Sequence, residues 1–438
     1  MSAAAALPHL RAHEAARPAP GAGYRWLVLI FVSVSMFGNY YLCDALGLVA
    51  DLVKAGYQIS DSQYGLLTGI YSIAAVVALL LGGVIIDRMG TKRSVLLFGV
   101  FASVAGLVIA IAPSYQVMLA GRFLLGIGCE PLNVAVTTAL ARWFKGKELS
   151  FAFGLNLTVS RLGSVAVDRS PQWASWAYSG GSFSRPLWLA ALLGVTCIIG
   201  GAVYWALEHR AEQRYELGSA GSTDKLRFRD IAGFGAAYWF VVGLCFTFYS
   251  AIFPFQSFAT KFFIEAHGTP REEAGALLSY LPATAMIATP LFGLLVDRMG
   301  RRALFMAVGS LLIAPVYCMM ATRGISLLVP VALMGIAFSL IPAVLWPEVA
   351  YLVDEKRLGT AYALMTLLQQ VGFFAVSWLL GWANDVSHAS AENPGGYALG
   401  MWLLTGLSVL GLIFSFLLFR AERGHKSHGI SATTAAAK

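Results

Sequence analysis

Along the chain, long apolar runs alternate with short polar breaks. The runs fall near 25–47, 64–86, 94–112, 116–141, 148–168, 186–207, 234–263, 273–296, 303–321, 325–350, 358–384 and 397–419. Most lie close to the ~20 residues that an α-helix needs to cross a bilayer. The pattern predicts an all-α membrane protein with twelve transmembrane helices. Composition agrees: of 438 residues, 58% are hydrophobic and 12% charged, and the mean hydropathy is +0.69. Soluble domains balance these classes very differently. Residues 1–23, rich in Ala, Pro, His and Arg, contain no apolar core of a signal peptide and read as a disordered cytoplasmic tail.

The net charge of +8 would suit a nucleic-acid partner, but its distribution does not. Lysines and arginines gather in alternate loops, around Arg88, Lys92 and Arg93, around Arg142, Lys145 and Lys147, and around Arg298, Arg301 and Arg302. The positive-inside rule then places both termini in the cytoplasm, and the basic residues become a membrane address. The five cysteines all fall in apolar segments and the seven histidines in tails, loops and linker. Neither a disulfide framework nor an intramembrane metal site is expected, and no cofactor. Catalytic constellations are absent, as is a GxxxxGK[ST] loop for ATP, so an enzyme is not expected.

Two stretches repeat. "GVIIDRMGTKR" at 83–93 returns as "GLLVDRMGRRA" at 293–303, and "KELSFAFGLNLTVSRLG" at 147–163 aligns with "KRLGTAYALMTLLQQVG" at 356–372. The chain thus divides into a six-helix bundle over 24–207, a cytoplasmic linker over 208–233, a second bundle over 234–420 and a tail over 421–438. Two parallel six-helix halves with a site between them near the midplane form a transporter architecture. Gly83, Asp87, Arg88, Gly90, Lys92 and Arg93 resemble the signature loop of the major facilitator superfamily. Asp297 and Arg298 echo it, and Arg122 with Gly126 and Gly128 resembles that superfamily's second motif. The resemblance implies the major facilitator fold, with Gly83, Asp87, Arg88, Gly90, Arg122, Asp297 and Arg298 as gating residues.

Glu130 and Arg161 sit inside apolar runs, where an unpaired charge facing lipid costs roughly 2.5–3.5 kcal/mol. Counted from the loop at 144–149, both lie about 21–22 Å up adjacent antiparallel helices at 1.5 Å per residue. Under the repeat Arg161 maps to Gln370 and Glu130 to Ser339, so these charges belong to one half only. Two readings stand: a permanent ion pair tethering the helices, or a clamp on the two ends of a zwitterion.

The stretch 121–164, "FPF" at 253–255 and 345–365 are similar to the lysosomal dipeptide carriers of the superfamily, with "WFKGKEL" the most specific string. That resemblance implies a prokaryotic relative in which Glu130 meets a peptide's amino terminus and Arg161 its carboxylate. It further implies a uniporter; a monomer is expected, and the one N-x-[ST] match, Asn156-Leu-Thr158, lying inside a helix, points to the bacterial cytoplasmic membrane. Departures from it are Glu348, read as a helix-end acid, and Asn156 in place of Gln. Tyr40, Tyr41, Phe253, Phe255, Trp346 and Gln370 are candidates for the middle of the site, and Asp44 is either a third substrate contact or a cap on the outer end of the first helix. Alternatives are a proton-coupled carrier of another small zwitterion or organic anion, with Glu348 or Asp44 as its proton site, and a non-transporting scaffold or sensor.

Overall fold

Twelve long helices carry the chain back and forth: α1 (Ala22–Asp44), α2 (Asp61–Met89), α3 (Thr91–Ala110), α4 (Tyr115–Phe144), α5 (Leu149–Asp168) and α6 (Ser184–Arg214) in the first half. The second half has α7 (Ala236–His267), α8 (Arg271–Met299), α9 (Arg302–Ala321), α10 (Leu328–Leu352), α11 (Leu358–Val386) and α12 (Ala398–Glu422). This computed structural model describes residues 18–144, 148–217, 228–231, 233–322, 324–354 and 357–422. Positions 1–17, Lys145, Lys147, most of the linker and the tail after 422 lie outside them. All twelve predicted helices are present. The sixth continues to Arg214, past the boundary expected at 207.

Among the described residues, eleven helices are long and apolar enough to cross a membrane. The exception is α5, whose hydropathy is lowered by Asn156, Arg161 and Asp168. A polar helix inside a membrane protein has to face protein or a wet cavity. α9 is broken at Pro315, between Ile313 and Val316. Proline lacks the amide hydrogen that would continue the helical ladder. After α1 the chain makes a 3₁₀ turn (Ala45–Val49) and a short helix (Ala50–Tyr57) before re-entering as α2.

We call the end carrying Arg88 and Arg298 the basic end. There the first half is tied internally by Glu208, which is fully buried. It accepts from Thr91 at 2.8 Å, Arg142 at 2.5 Å and Trp143 at 3.2 Å, and from the Tyr204 hydroxyl. Both signature loops end on a glycine with positive φ, Gly90 at 78° and Gly300 at 66°, a conformation only glycine adopts without strain.

The halves meet at the opposite end, through α2 against α11 and α5 against α8. Approach there is backbone to backbone. A Cβ on Gly65 would lie 2.3 Å from the Ser377 carbonyl, and one on Gly275 2.2 Å from that of Asp168. Small residues allow such contact where apolar driving force between membrane helices is weak. Polar contacts reinforce it. Asp385, at the end of α11, accepts the backbone N–H groups of Asp61 and Ser62 at 2.8 Å each, capping α2 from across the interface. Arg271 grips Asp51 with both guanidinium nitrogens, at 3.0 and 2.5 Å.

Candidate functional site

Between the halves lies a cavity of about 370 Å³, within the usual range of small-molecule sites. Its walls include Glu130, Arg161, Tyr40, Asp44, Trp346 and Gln370, so the structure brings the substrate-binding candidates of the sequence to one place.

The apparent oddity of "LLGIGCEPLNVAV" at 124–136 has a packing cause. Gly126 lets α4 touch α2: a Cβ there would lie 2.2 Å from the Tyr71 carbonyl. Gly128 does the same toward Ala102 of α3. Held this close, Tyr71 donates its hydroxyl proton to Glu130 at 2.9 Å. On the neighbouring side, Gly163 brings α5 against α1, with the Phe37 carbonyl 2.3 Å from where its Cβ would be. Arg161, about half a turn away, then lies between two rings, 5.4 Å from the Tyr40 centroid and 5.1 Å from that of Phe338. Cation–π contact of this kind contributes about 0.5–2 kcal/mol. The guanidinium has no hydrogen-bond or ion-pair acceptor among the described residues, and its Nε is buried without one.

Glu130 and Arg161 are not an ion pair; among the described residues no salt bridge joins them. The tether reading therefore fails in this conformation, and both groups remain available to a ligand. Trp346 lines the cavity while its indole N–H donates to the Tyr249 hydroxyl at 2.8 Å. Gln370 is buried with its carbonyl oxygen unpartnered. Asp44 accepts from Ser164 at 2.6 Å.

Other candidates fall elsewhere. Arg122, expected with the gating residues, is in the cavity wall instead, its guanidinium 5.3 Å from the Tyr71 ring and 3.4 Å from the Cys43 carbonyl. Its depth on α4, beyond Glu130 as seen from the basic loop, explains the difference. Tyr41 and Phe255 are core residues outside the cavity, whereas Phe253 lines it. Glu348 is fully buried within α10 and not at an exposed helix end. Asn156 is buried and accepts from Ser33 at 3.1 Å. Arg88 and Arg298 are exposed, and a Cβ on Gly293 would meet nothing within 4 Å. Sequence reasoning did not single out Tyr71, Phe338 or Asp168. Tyr71 and Asp168 were legible only as polar groups in or beside apolar runs, and Phe338 not at all.

The sequence matches the Major Facilitator Superfamily over residues 28–268 and again over 240–437. The chain belongs to that superfamily. It is 31% identical over 425 residues to the lysosomal dipeptide transporter MFSD1 of Homo sapiens, covering 92% of this chain and 88% of the relative. Similarity to the MFSD1 of Danio rerio is 32% over 379 residues, covering 83% and 81%. Among solved structures, the fold resembles a bacterial homologue of the human lysosomal transporter Spinster, with a TM-score of 0.72 and 18% identity over 92% of this chain and 98% of that one. The nucleoside transporter NupG gives 0.69 at 12% identity, covering 91% and 100%. As a member of this superfamily the chain is a multi-pass membrane transporter and not an enzyme.

Proposed function

We propose that this transporter moves dipeptides by alternating access, with Glu130 receiving the peptide ammonium and Arg161 its carboxylate. The observation that carries the reading is that the two opposite charges line one cavity unpaired. Glu130 is held by Tyr71 and Arg161 by two rings, neither of which neutralises a charge. An arginine fork suits a carboxylate, and an acid suits an ammonium. A dipeptide separates its charged ends by roughly 3.5 Å more than an amino acid does, so the clamp can measure length. Tyr40, Trp346, Phe253 and Phe338 surround the middle without demanding one side-chain chemistry. The names of the MFSD1 relatives support the same cargo.

Positive-inside orientation makes the basic end cytoplasmic, with both termini on that side of a bacterial cytoplasmic membrane. The sealed end is then external and this conformation inward-facing. The Asp87–Arg88 and Asp297–Arg298 loops would latch the cytoplasmic end in the opposite state, while Arg122 serves the cavity. The direct test is exchange of a labelled dipeptide into proteoliposomes preloaded with unlabelled dipeptide. Exchange that single amino acids do not compete supports the reading. Competition by single amino acids as strong as by dipeptides would sink it.

A further inference from the structure

We propose that Asp168, with Asp44 beside it, is a proton-binding site in the central cavity, and that its proton exchanges as the sealed end opens and closes. This rests on alternating access but not on the identity of the cargo.

The cavity wall holds three carboxylates, Glu130, Asp44 and Asp168, and two guanidinium groups, Arg122 and Arg161. Among the described residues none of the five is in an ion pair. A zwitterionic ligand adds no net charge, so one negative charge stays unbalanced and one proton evens the count. Asp168 is the group that most needs it. Its residue is 8% exposed, and among the described residues its side chain accepts no hydrogen bond and joins no ion pair. Its neighbour Arg169 turns away, donating to Ser279 at 2.9 Å and Gln172 at 3.3 Å. Asp168 is also the last residue of α5, as Asp44 is of α1, and both therefore sit at negative helix ends. A carboxylate so placed is destabilised in its charged form unless neutralised.

The charged and titratable groups around Asp168 are Tyr41 and Asp44 from α1, Arg122 from α4, Arg161 from α5, Arg169 just after it, Tyr178 from the second of two short helices that follow, and Arg271 of α8 beside Tyr178. The nearby cavity wall from α7 and α8 offers Ser257, Gln256, Leu278 and Pro282, none of which titrates.

The position links charge to conformation. The Asp168 carbonyl presses directly on α8 at Gly275, the contact that seals this end. Parting α5 from α8 would open the carboxylate to water from the external side as well. A proton taken from cavity water stabilises the sealed form, and its return to water accompanies opening.

The test uses the full chain in nanodiscs, without dipeptide, with genetically encoded spin labels at the exposed positions Ser179 and Glu392, one in each half. In wild type the long-distance population should grow as pH rises from 5 to 8, by several-fold. Asp168→Asn, which mimics the protonated acid, should stay short-distance throughout, and Asp168→Ser should do the same if the Asn variant does not purify. Asp44→Asn should move the midpoint. A wild-type distance that ignores pH, an Asp168→Asn response equal to wild type, or a response to sodium at fixed pH would each overturn the proposal.

Discussion

Lys261 and Asp61 meet at 3.1 Å across the two halves, each side chain only 1% exposed. Around them, Lys54 reaches Asp61 at 3.0 Å, Glu265 reaches Lys261 at 3.1 Å, and Lys261 donates to the Tyr397 hydroxyl at 2.6 Å. α1's extension, α2, α7 and the turn before α12 are thus joined by one buried polar cluster. Losing one partner of a buried pair typically costs about 3–5 kcal/mol; Lys54 still reaches Asp61 here, but Lys261 is what carries that contact to α7. Lys261→Met should therefore shift the spin-label distances between positions 179 and 392 toward the separated state, by more than ten-fold in population. Unchanged distances would mean that the cluster is not part of the seal.

Tyr71→Phe removes the hydroxyl that holds Glu130 but keeps the ring beneath Arg122. Hydrogen bonds to charged groups contribute about 1.5–3 kcal/mol. Dipeptide affinity measured by calorimetry should fall at least ten-fold, while the melting temperature without ligand changes little. Equal affinity in the variant would remove Tyr71 from the site.

Two glycines of α5 should behave oppositely. Gly163→Ala places a methyl 2.3 Å from the Phe37 carbonyl and should lower the melting temperature and weaken binding together, since it tilts the helix carrying Arg161. Gly154→Ala meets nothing within 4 Å and should be neutral or stabilising by up to about 1 kcal/mol. Similar melting of the two variants would show that the α1–α5 contact does not position the site.

The helices and the duplication were legible because bilayer length and the repeated loop leave strong marks. Glu130 and Arg161 were legible for another reason: a charge inside an apolar run has few places to go, and the second half lacks both. What the sequence left open was rotation about each helix axis. α4 and α10 are apolar nearly all round, so no stripe distinguishes Phe338, which touches Arg161, from Ser339, which is buried and bonds within its own helix. Arg122 was read from a motif, and its place in the cavity wall follows from depth, which the motif does not encode. The separation of Glu130 from Arg161 depends on glycine contacts made by α2 and α1, distant in sequence from both.

The clamp is tested most directly by thermal melting of the purified protein against dipeptides, single amino acids and tripeptides, with Glu130→Gln and Arg161→Gln alongside. A ligand bound only by the folded state raises stability by RT ln(1 + [L]/Kd), so at 100 times Kd the gain is about 2.7 kcal/mol. Stabilisation of wild type by dipeptides alone, lost in both variants while each still melts cooperatively near wild type, is the predicted result. Stabilisation of either variant to the wild-type extent would contradict the clamp.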